Sequence, residues 1–370
     1  MAEATRHAAA QGLTVSPRGG GHHFTGIAAQ ADMVIDLGAL DGLQIDPARR
    51  TARVEPAVTN ARMAAALARH DLAFPLGHCG SVPMSGYLLG GGIGWNSGGW
   101  GVACFLVEAV EVVLADGRQL TATETQHPEI LWAARAAGPD FFGVVTAYHL
   151  RLTPAPRAIL TGVRVYPAAD AAQVAAWAET AMARAPAEVE LTLKIAAPPP
   201  GVPVPGPLVE AIATVFADGE GQAQAMLADL FADAPAAIQT IGTMPTPREV
   251  LYGFTAQFMP QGLRYGVDSL WSDAPMPQLV ARIAAGMAEA LSARSLALVM
   301  LRSPLTVAPG AGAFSCIGRI FASVHAIWQD DVEDAAHLHW LRATMAAAAP
   351  LGHGRYVGEA DLDAPGRAAA

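Results

Sequence analysis

Over the first 150 or so residues, short runs of alternating apolar and polar positions are separated by clusters of Gly, Pro and Asp. That is the signature of half-buried strands joined by turns. An amphipathic helix, "MAEATRHAAAQGL", ends near Gln11, and "LTVSP" follows as a short strand feeding a glycine loop. "DMVIDL" is a second strand, and "GLQIDPARRTARVEPAV" reads as a hairpin turning at "DPARR". Thr59 or Asn60 can cap the helix "ARMAAALARHD" by accepting a backbone N–H from its first turn. After the glycine-rich "PLGHCGSVPMSGYLLGGGIGWNSGGWG" come the strands "VEAVEVVLADG" and "RQLTAT", joined through Asp116-Gly117, a two-residue hairpin signal. The helix "HPEILWAARAAG" then leads into the strand "FFGVVTAYHLRLTP", which ends at Pro154.

Beyond "PAPR" the pattern changes. Strands such as "LTGVRVYP", "VELTLKIAA" and "LVEAIATVFAD" alternate with helices of period 3.6, among them "AAQVAAWAETAMARA" and "DVEDAAHLHWLRATMAAAA". This predicts an α+β second domain, a largely antiparallel sheet with helices on one face, and a boundary near residues 154–157. "PPPGVPVPGP" reads as a loop between two of its strands. Trp271, Trp328 and Trp340 fall on strand or helix periodicity and read as core.

Composition narrows the function. Hydrophobic residues make up 52% and charged residues 15% of 370, so the chain has enough apolar material for real cores. The net charge is −10, Lys194 is the only lysine, and no basic run appears. Nucleic-acid binding is excluded on that ground, since phosphate neutralisation needs clustered Lys and Arg. Apolar stretches break well before the roughly 20 residues of a membrane span. Cys79, Cys104 and Cys316 fit neither a disulfide framework nor a zinc motif. No signal-peptide core opens the sequence, so the expectation is a cytoplasmic, soluble protein.

The candidate chemistry lies in two glycine loops. "GGGIGW" brushes the G-x-G-x-x-G dinucleotide pattern, but its flanks lack the strand before and the amphipathic helix after that a Rossmann NAD site requires. A ligand-free flexible loop is a second reading. A third is that the loop at residues 18–22 and the loop at residues 77–94 close on one extended, phosphate-bearing ligand. Bare backbone N–H groups would then approach a pyrophosphate as closely as only glycine permits.

"RGGGHH", "FPLGHCGSV", "LLGGGIGW", "EVVLADG", "PEILWAARAAG" and "FFGVVTAYHLRL" stand in the order and spacing of a known group. The chain resembles the FAD-linked oxidoreductases similar to berberine bridge enzyme, of the PCMH-type, or vanillyl-alcohol-oxidase, flavoprotein superfamily. The resemblance is strong from about residue 8 to 154 and weak beyond, through "YVGEADL". It implies a PCMH-type FAD-binding domain over residues 1–156 and a substrate-binding α+β domain over 157–348. A segment over 349–370 would begin the return to the FAD domain. It also implies further elements beyond each end of the sequence, so that the chain reads as truncated.

The resemblance assigns roles residue by residue. His22 occupies the position bonded to the 8α-methyl of the flavin, and a neutral imidazole nitrogen is a competent nucleophile there. His23 stands where the group usually has Ser or Asn and reads as a polar loop neighbour. Arg18, Gly19, Gly20 and Gly21 would line the pyrophosphate, with charge-assisted hydrogen bonds from the arginine. Cys79 matches the position of a second flavin link, at C6, although "GSVPMSG" departs from the usual continuation; a buried thiol is the alternative. Gly77, His78, Val82, Gly86, Gly90 and Gly91 resemble isoalloxazine and pyrophosphate contacts, and Val144 and Val145 the strand beside the adenine half. The catalytic base is Tyr356, Glu359 or neither, because the Y-x-N-Y of relatives is here Tyr356, Val357, Gly358 and Glu359.

The activity implied is hydride transfer from a small-molecule alcohol, sugar or amine to flavin N5, with O2 as acceptor. An inactive fragment or flavin-free binding module is the alternative from another class, and a Rossmann enzyme is a third.

Overall fold

Alternating side chains place one face of each strand inside, and the sheets of this chain follow that period closely. The computed structural model describes residues 1–199, 204–301 and 311–365. Two units divide the chain: residues 1–155 with 306–315, and residues 156–305 with 316–370.

In the first unit α1 (Ala2–Gln11) precedes β1 (Val15–Arg18), which pairs in parallel with β2 (Met33–Asp36). The expected hairpin forms as β3 (Leu43–Asp46) and β4 (Thr51–Val54). α2 (Asn60–Ala68) and β5 (Leu72–Ala73) come next, then the short helices α3 (Met84–Leu89) and α4 (Ser97–Trp100). β6 (Val107–Val113), β7 (Gln119–Thr123), α5 (Pro128–Ala134), β8 (Val144–Arg151) and β9 (Thr153–Pro154) complete the unit. One antiparallel sheet runs β3-β4-β8-β6-β7, and β5 pairs with β9. Its inward residues Val54, Val110, Val112, Tyr148 and Leu150 are buried.

The β6–β7 connection corrects the expectation of a two-residue turn. Leu114 N–H donates to Arg118 O at 3.0 Å and Gly117 N–H to Leu114 O at 2.9 Å, with Gly117 at φ 80°. Three residues, 115–117, therefore make the turn, and the left-handed glycine supplies the bulge that keeps the strands' twist.

In the second unit seven antiparallel strands lie in the order β13-β10-β12-β11-β15-β16-β14. They are β10 (Ala158–Pro167), β11 (Val189–Ala196), β12 (Leu208–Ala217), β13 (Gln239–Pro245), β14 (Arg264–Ser272), β15 (Leu296–Leu301) and β16 (Ile320–Trp328). The helices are α6 (Ala171–Met182), α7 (Glu220–Leu230), α8 (Arg248–Phe258), α9 (Met276–Ala288) and α10 (Asp334–Ala348). Leu191, Leu193 and Val299 on one sheet face form a single core with Val174 of α6, Ile283 of α9 and Leu341 of α10. Trp271, Trp328 and Trp340 are buried, as their periodicity predicts.

Not every helix keeps to that face. The Lys194 ammonium, on the opposite side of β11 from Leu193, sits 3.8 Å from the centroid of Phe258 in α8 and 2.8 Å from Glu210. Sequence periodicity does not announce β13 or α8: β13 is an exposed edge strand, so no buried face marks it. Residues 349–365 lie in the second unit, where Gly354 bridges Trp271. The loop expected over 198–207 falls partly outside the described residues.

The face of β16 away from the core carries a buried histidine. His325, 2% exposed, has Nε2 2.9 Å from Ser323 Oγ and 3.9 Å from a Glu359 carboxylate oxygen, and burial pulls its pKa down to about 3. From the ordinary value of about 6.5 down to that pKa, the unfolded chain takes up a proton that the folded chain refuses. Stability therefore falls as pH falls through this window, by up to about 1.4 kcal/mol per pH unit for a fully buried site. His325→Gln is expected to give a shallower acid loss of Tm between pH 6.5 and pH 4 than the parent chain; identical slopes would rule the histidine out as its source.

Candidate functional site

The site grows from the start of α2. Thr59 is the N-cap, its hydroxyl accepting the Arg62 N–H at 3.3 Å. Asn60 is thereby released for a different task. Its side chain is fully buried, and its Oδ1 accepts the Gly77 N–H at 3.2 Å while its Nδ2 donates to the Cys79 carbonyl at 3.3 Å. The Asn60 and Ala61 N–H groups donate to Val82 O and Gly80 O, both at 2.9 Å. The loop over 77–82 is thus wound around the first turn of the helix. It continues into α3 past a Thr59–Pro83 bridge, with Met84 N–H on Val58 O at 2.8 Å.

The first glycine loop lies against this second one. A Cβ at Gly19 would overlap the Ser85 hydroxyl, and one at Gly20 would come within 2.8 Å of Pro83 Cγ. Only glycine lets the backbone of the first loop sit this close to the Ser85 and Pro83 side chains. His22 stands at the junction, hydrogen-bonded to the Ser81 main chain. Desolvation lowers the His22 pKa, and that hydrogen bond opposes the shift. Desolvation is the larger effect and favours the neutral imidazole, the form in which a ring nitrogen is nucleophilic. His23 does something else: its Nδ1 takes the Thr25 hydroxyl at 2.9 Å and the Thr25 N–H at 3.3 Å, folding the ring back on its own turn.

The other site residues divide in the same way. His78 sets its ring edge-on to Trp95, centroids 4.2 Å apart, and Cys79 carries a half-buried thiol in the same loop. Gly86, on α3 just after Ser85, has nothing within 4 Å of where a Cβ would stand, so the helix presents bare backbone to open space there. Gly90 closes α3 through its N–H to Gly86 O, and Gly91, at φ 114°, accepts the Cys104 N–H at 2.8 Å. Val82 is half-buried in the loop. Arg18 lies at the edge, its guanidinium 3.0 Å from Asp36 and both side chains well exposed.

Val144 and Val145 are buried in β8 opposite Val113 and Val112, with Val144 in a small core that includes Leu37. Tyr356 belongs to the second unit; its N–H donates to Ser269 Oγ at 3.3 Å and its ring meets Phe321 edge-on at 6.0 Å. Cys104 is buried and its thiol is pushed up to about 12 by desolvation, which makes it a core residue. Sequence reasoning missed the clamping role of Asn60 and the contact of Ser85 with Gly19. The one available signal was a polar residue directly after a sufficient cap.

The short helix α3 leads into "GGGIGW" and the four-residue α4 comes after it, so the strand–loop–long-helix unit of a Rossmann NAD site is absent from these residues. The first 123 residues match instead a family described as FAD binding domain. The chain is related to the FAD-linked oxidoreductases that resemble berberine bridge enzyme. It is 30% identical over 255 residues to FAD-linked oxidoreductase ptmO of Penicillium ochrochloron, a match covering 69% of this chain and 56% of that one. It is 28% identical over 366 residues to FAD-linked oxidoreductase nodO of Hypoxylon pulicicidum, covering 96% and 80%. The solved structure of berberine bridge enzyme from Eschscholzia californica superposes with a TM-score of 0.82 at 18% identity, over 99% of this chain and 77% of that one. That likeness establishes the fold, a PCMH-type FAD-binding domain with an antiparallel-sheet domain. No helix among the described residues is long and apolar enough to cross a membrane.

The residues present suit FAD. The first glycine loop packs on Ser85 and Pro83, Gly86 beside them leaves bare backbone facing open space that a side chain would occupy, and the His22 imidazole stands at the same junction.

Proposed function

We propose that the chain is an FAD-dependent oxidoreductase, an oxidase of small-molecule alcohols, sugars or amines, with its flavin held covalently by His22 and a second time by Cys79. The observation that carries the reading is the packing of the first glycine loop on Pro83 and Ser85, with His22 at the junction beside Ser81. When bound, FAD accepts hydride at N5 and returns the electrons to O2.

The chain's own residues do the rest. Gly19, Gly20 and Gly21 bring main-chain N–H groups to the pyrophosphate. Arg18 adds positive charge at that edge while tied to Asp36. His22 holds the ring through a nitrogen–carbon bond, which its lowered pKa favours by keeping the nitrogen lone pair available. Gly77, His78, Val82, Gly86, Gly90 and Gly91 supply the remaining contacts in the first domain, and Val144 and Val145 the strand beside the adenine half. Tyr356 is the base in this reading, taking the substrate proton on its phenol oxygen as hydride leaves.

The test is anaerobic mixing of the FAD-loaded chain with panels of primary alcohols, sugars and amines, followed by admission of air. Bleaching of the flavin absorbance by one class, reversed by O2, is the expected result. A chain that holds FAD yet is bleached by none of them, though dithionite reduces it, contradicts the proposed activity.

A further inference from the structure

Resting on that reading, we propose that Asn60 is the residue that positions Cys79 for the flavin: a positioning residue, with no contact to the reacting atoms required of it. Three observations converge on this residue. Asn60 is fully buried, so each of its amide groups must find a partner or incur desolvation. Both find one on the same short loop, two residues apart: Oδ1 on the Gly77 N–H and Nδ2 on the Cys79 carbonyl. At neutral pH a carboxamide is the side chain of that length and shape that offers a separate acceptor and donor at once. The main chain of Asn60 and Ala61 grips the same loop at Val82 and Gly80.

The fit is tight from the other side as well. A Cβ at Gly77 would stand 2.9 Å from Asn60 Nδ2 and 3.1 Å from Tyr87, so the loop packs directly on the amide. Helix capping does not explain the residue, because Thr59 already caps α2. What Asn60 fixes is the carbonyl of Cys79 and hence the direction of its Cα–Cβ bond. The sulfur is thereby limited to the positions that rotation about this one bond allows, while the loop runs on to Ser81 and the His22 ring. In the attachment the Cys79 thiol would give up its proton, a sulfur–carbon bond would form at flavin C6, and the C6 hydrogen would leave as a second proton. The two electrons released would pass with these two protons to O2, giving hydrogen peroxide. Without the clamp the Cys79 peptide can rotate, and the sulfur is spread over more positions.

The experiment has two arms. In the flavin-free full chain, alkylation of Cys79 and of Cys104 by iodoacetamide is followed by peptide mass in the same sample. Asn60→Ala is expected to speed Cys79 about tenfold, the effect of losing roughly one well-made buried hydrogen bond, with Cys104 unchanged. In the second arm, His22→Ala chains are loaded with FAD under air. The share of Cys79 peptide carrying flavin is measured with Asn60 intact, with Asn60→Ala and with Asn60→Asp. Asn60→Ala is expected to lose the adduct tenfold or more. Asn60→Asp is expected to recover it as pH is lowered, since only the protonated acid can donate to the Cys79 carbonyl.

Equal alkylation rates with Asn60 intact and with Asn60→Ala, or a matching rise at Cys104, would overturn the proposal. The first outcome denies the clamp, and the second makes it general support of the fold. If Cys79 carries no flavin in any chain, the second link falls, and the alkylation arm still decides what Asn60 does.

Discussion

His22→Ala leaves a colourless pellet when the FAD-loaded protein is precipitated with acid in a Cys79→Ala background, with all yellow colour in the supernatant. In the parent chain the pellet is yellow. The expectation rests on the imidazole at the meeting of the glycine loops whose pKa burial has lowered. His23→Ala, one residue away, keeps the yellow pellet, because the Nδ1 of His23 is turned onto Thr25. The Cys79→Ala change alone also keeps it, through His22. A yellow pellet from the His22→Ala, Cys79→Ala chain would move the attachment elsewhere, and a colourless one from His23→Ala would exchange the roles of the two histidines.

Gly94→Ala destabilises the first domain by about 3 kcal/mol, the upper part of the range for forced overpacking. The new Cβ would overlap the Leu76 carbonyl and the Tyr87 hydroxyl, and neither can step aside cheaply. Leu76 O already accepts the Trp95 N–H at 2.9 Å, and the Tyr87 hydroxyl donates to Pro75 O. The strand-like stretch before the Gly77–Val82 loop would have to move, taking the flavin cradle with it. Thermal unfolding is expected to drop by about 10 °C for a unit of this size, together with weaker FAD retention. Gly253→Ala is the matched control: it lies within α8, exposed, with nothing within 4 Å of a Cβ. Alanine there is expected to stabilise by about 0.5–1 kcal/mol. If the two substitutions shift Tm alike, close packing at Gly94 is not what the glycine provides.

Much of the fold was legible because period 2 and period 3.6 survive tertiary packing. The hairpin β3–β4, the strand β8 ending before Pro154 and the core tryptophans of the second domain all arise from alternation and helix spacing. The β6–β7 turn was misread because Asp-Gly serves both a two-residue turn and the bulged three-residue turn seen here. β13 and α8 were missed for a different reason. β13 is exposed and holds Gly and Pro, and α8 packs Phe258 on Lys194 rather than showing a broad apolar stripe to the core.

At the site, the two glycine loops could be picked out and expected to converge, and Gly19 and Gly20 do lie against Ser85 and Pro83. The two histidines were separated by the family resemblance, while the contacts that distinguish them could not be read from the sequence. The partner of His22 is Ser81, far along the chain, and that pairing exists only once both loops are folded around α2. Asn60 was hidden in the same way, since a polar residue at a helix start looks like a cap until the neighbouring threonine is seen to do the capping.

The central claim is that the junction of the two loops is a covalent flavin site with His22 as its nitrogen. Its most direct test is the mass and fragmentation of the tryptic peptide over residues 19–49 from chain loaded with FAD under air. The predicted result is a flavin adduct localised to His22. The same peptide recovered wholly unmodified, from protein that had bound FAD, would contradict it.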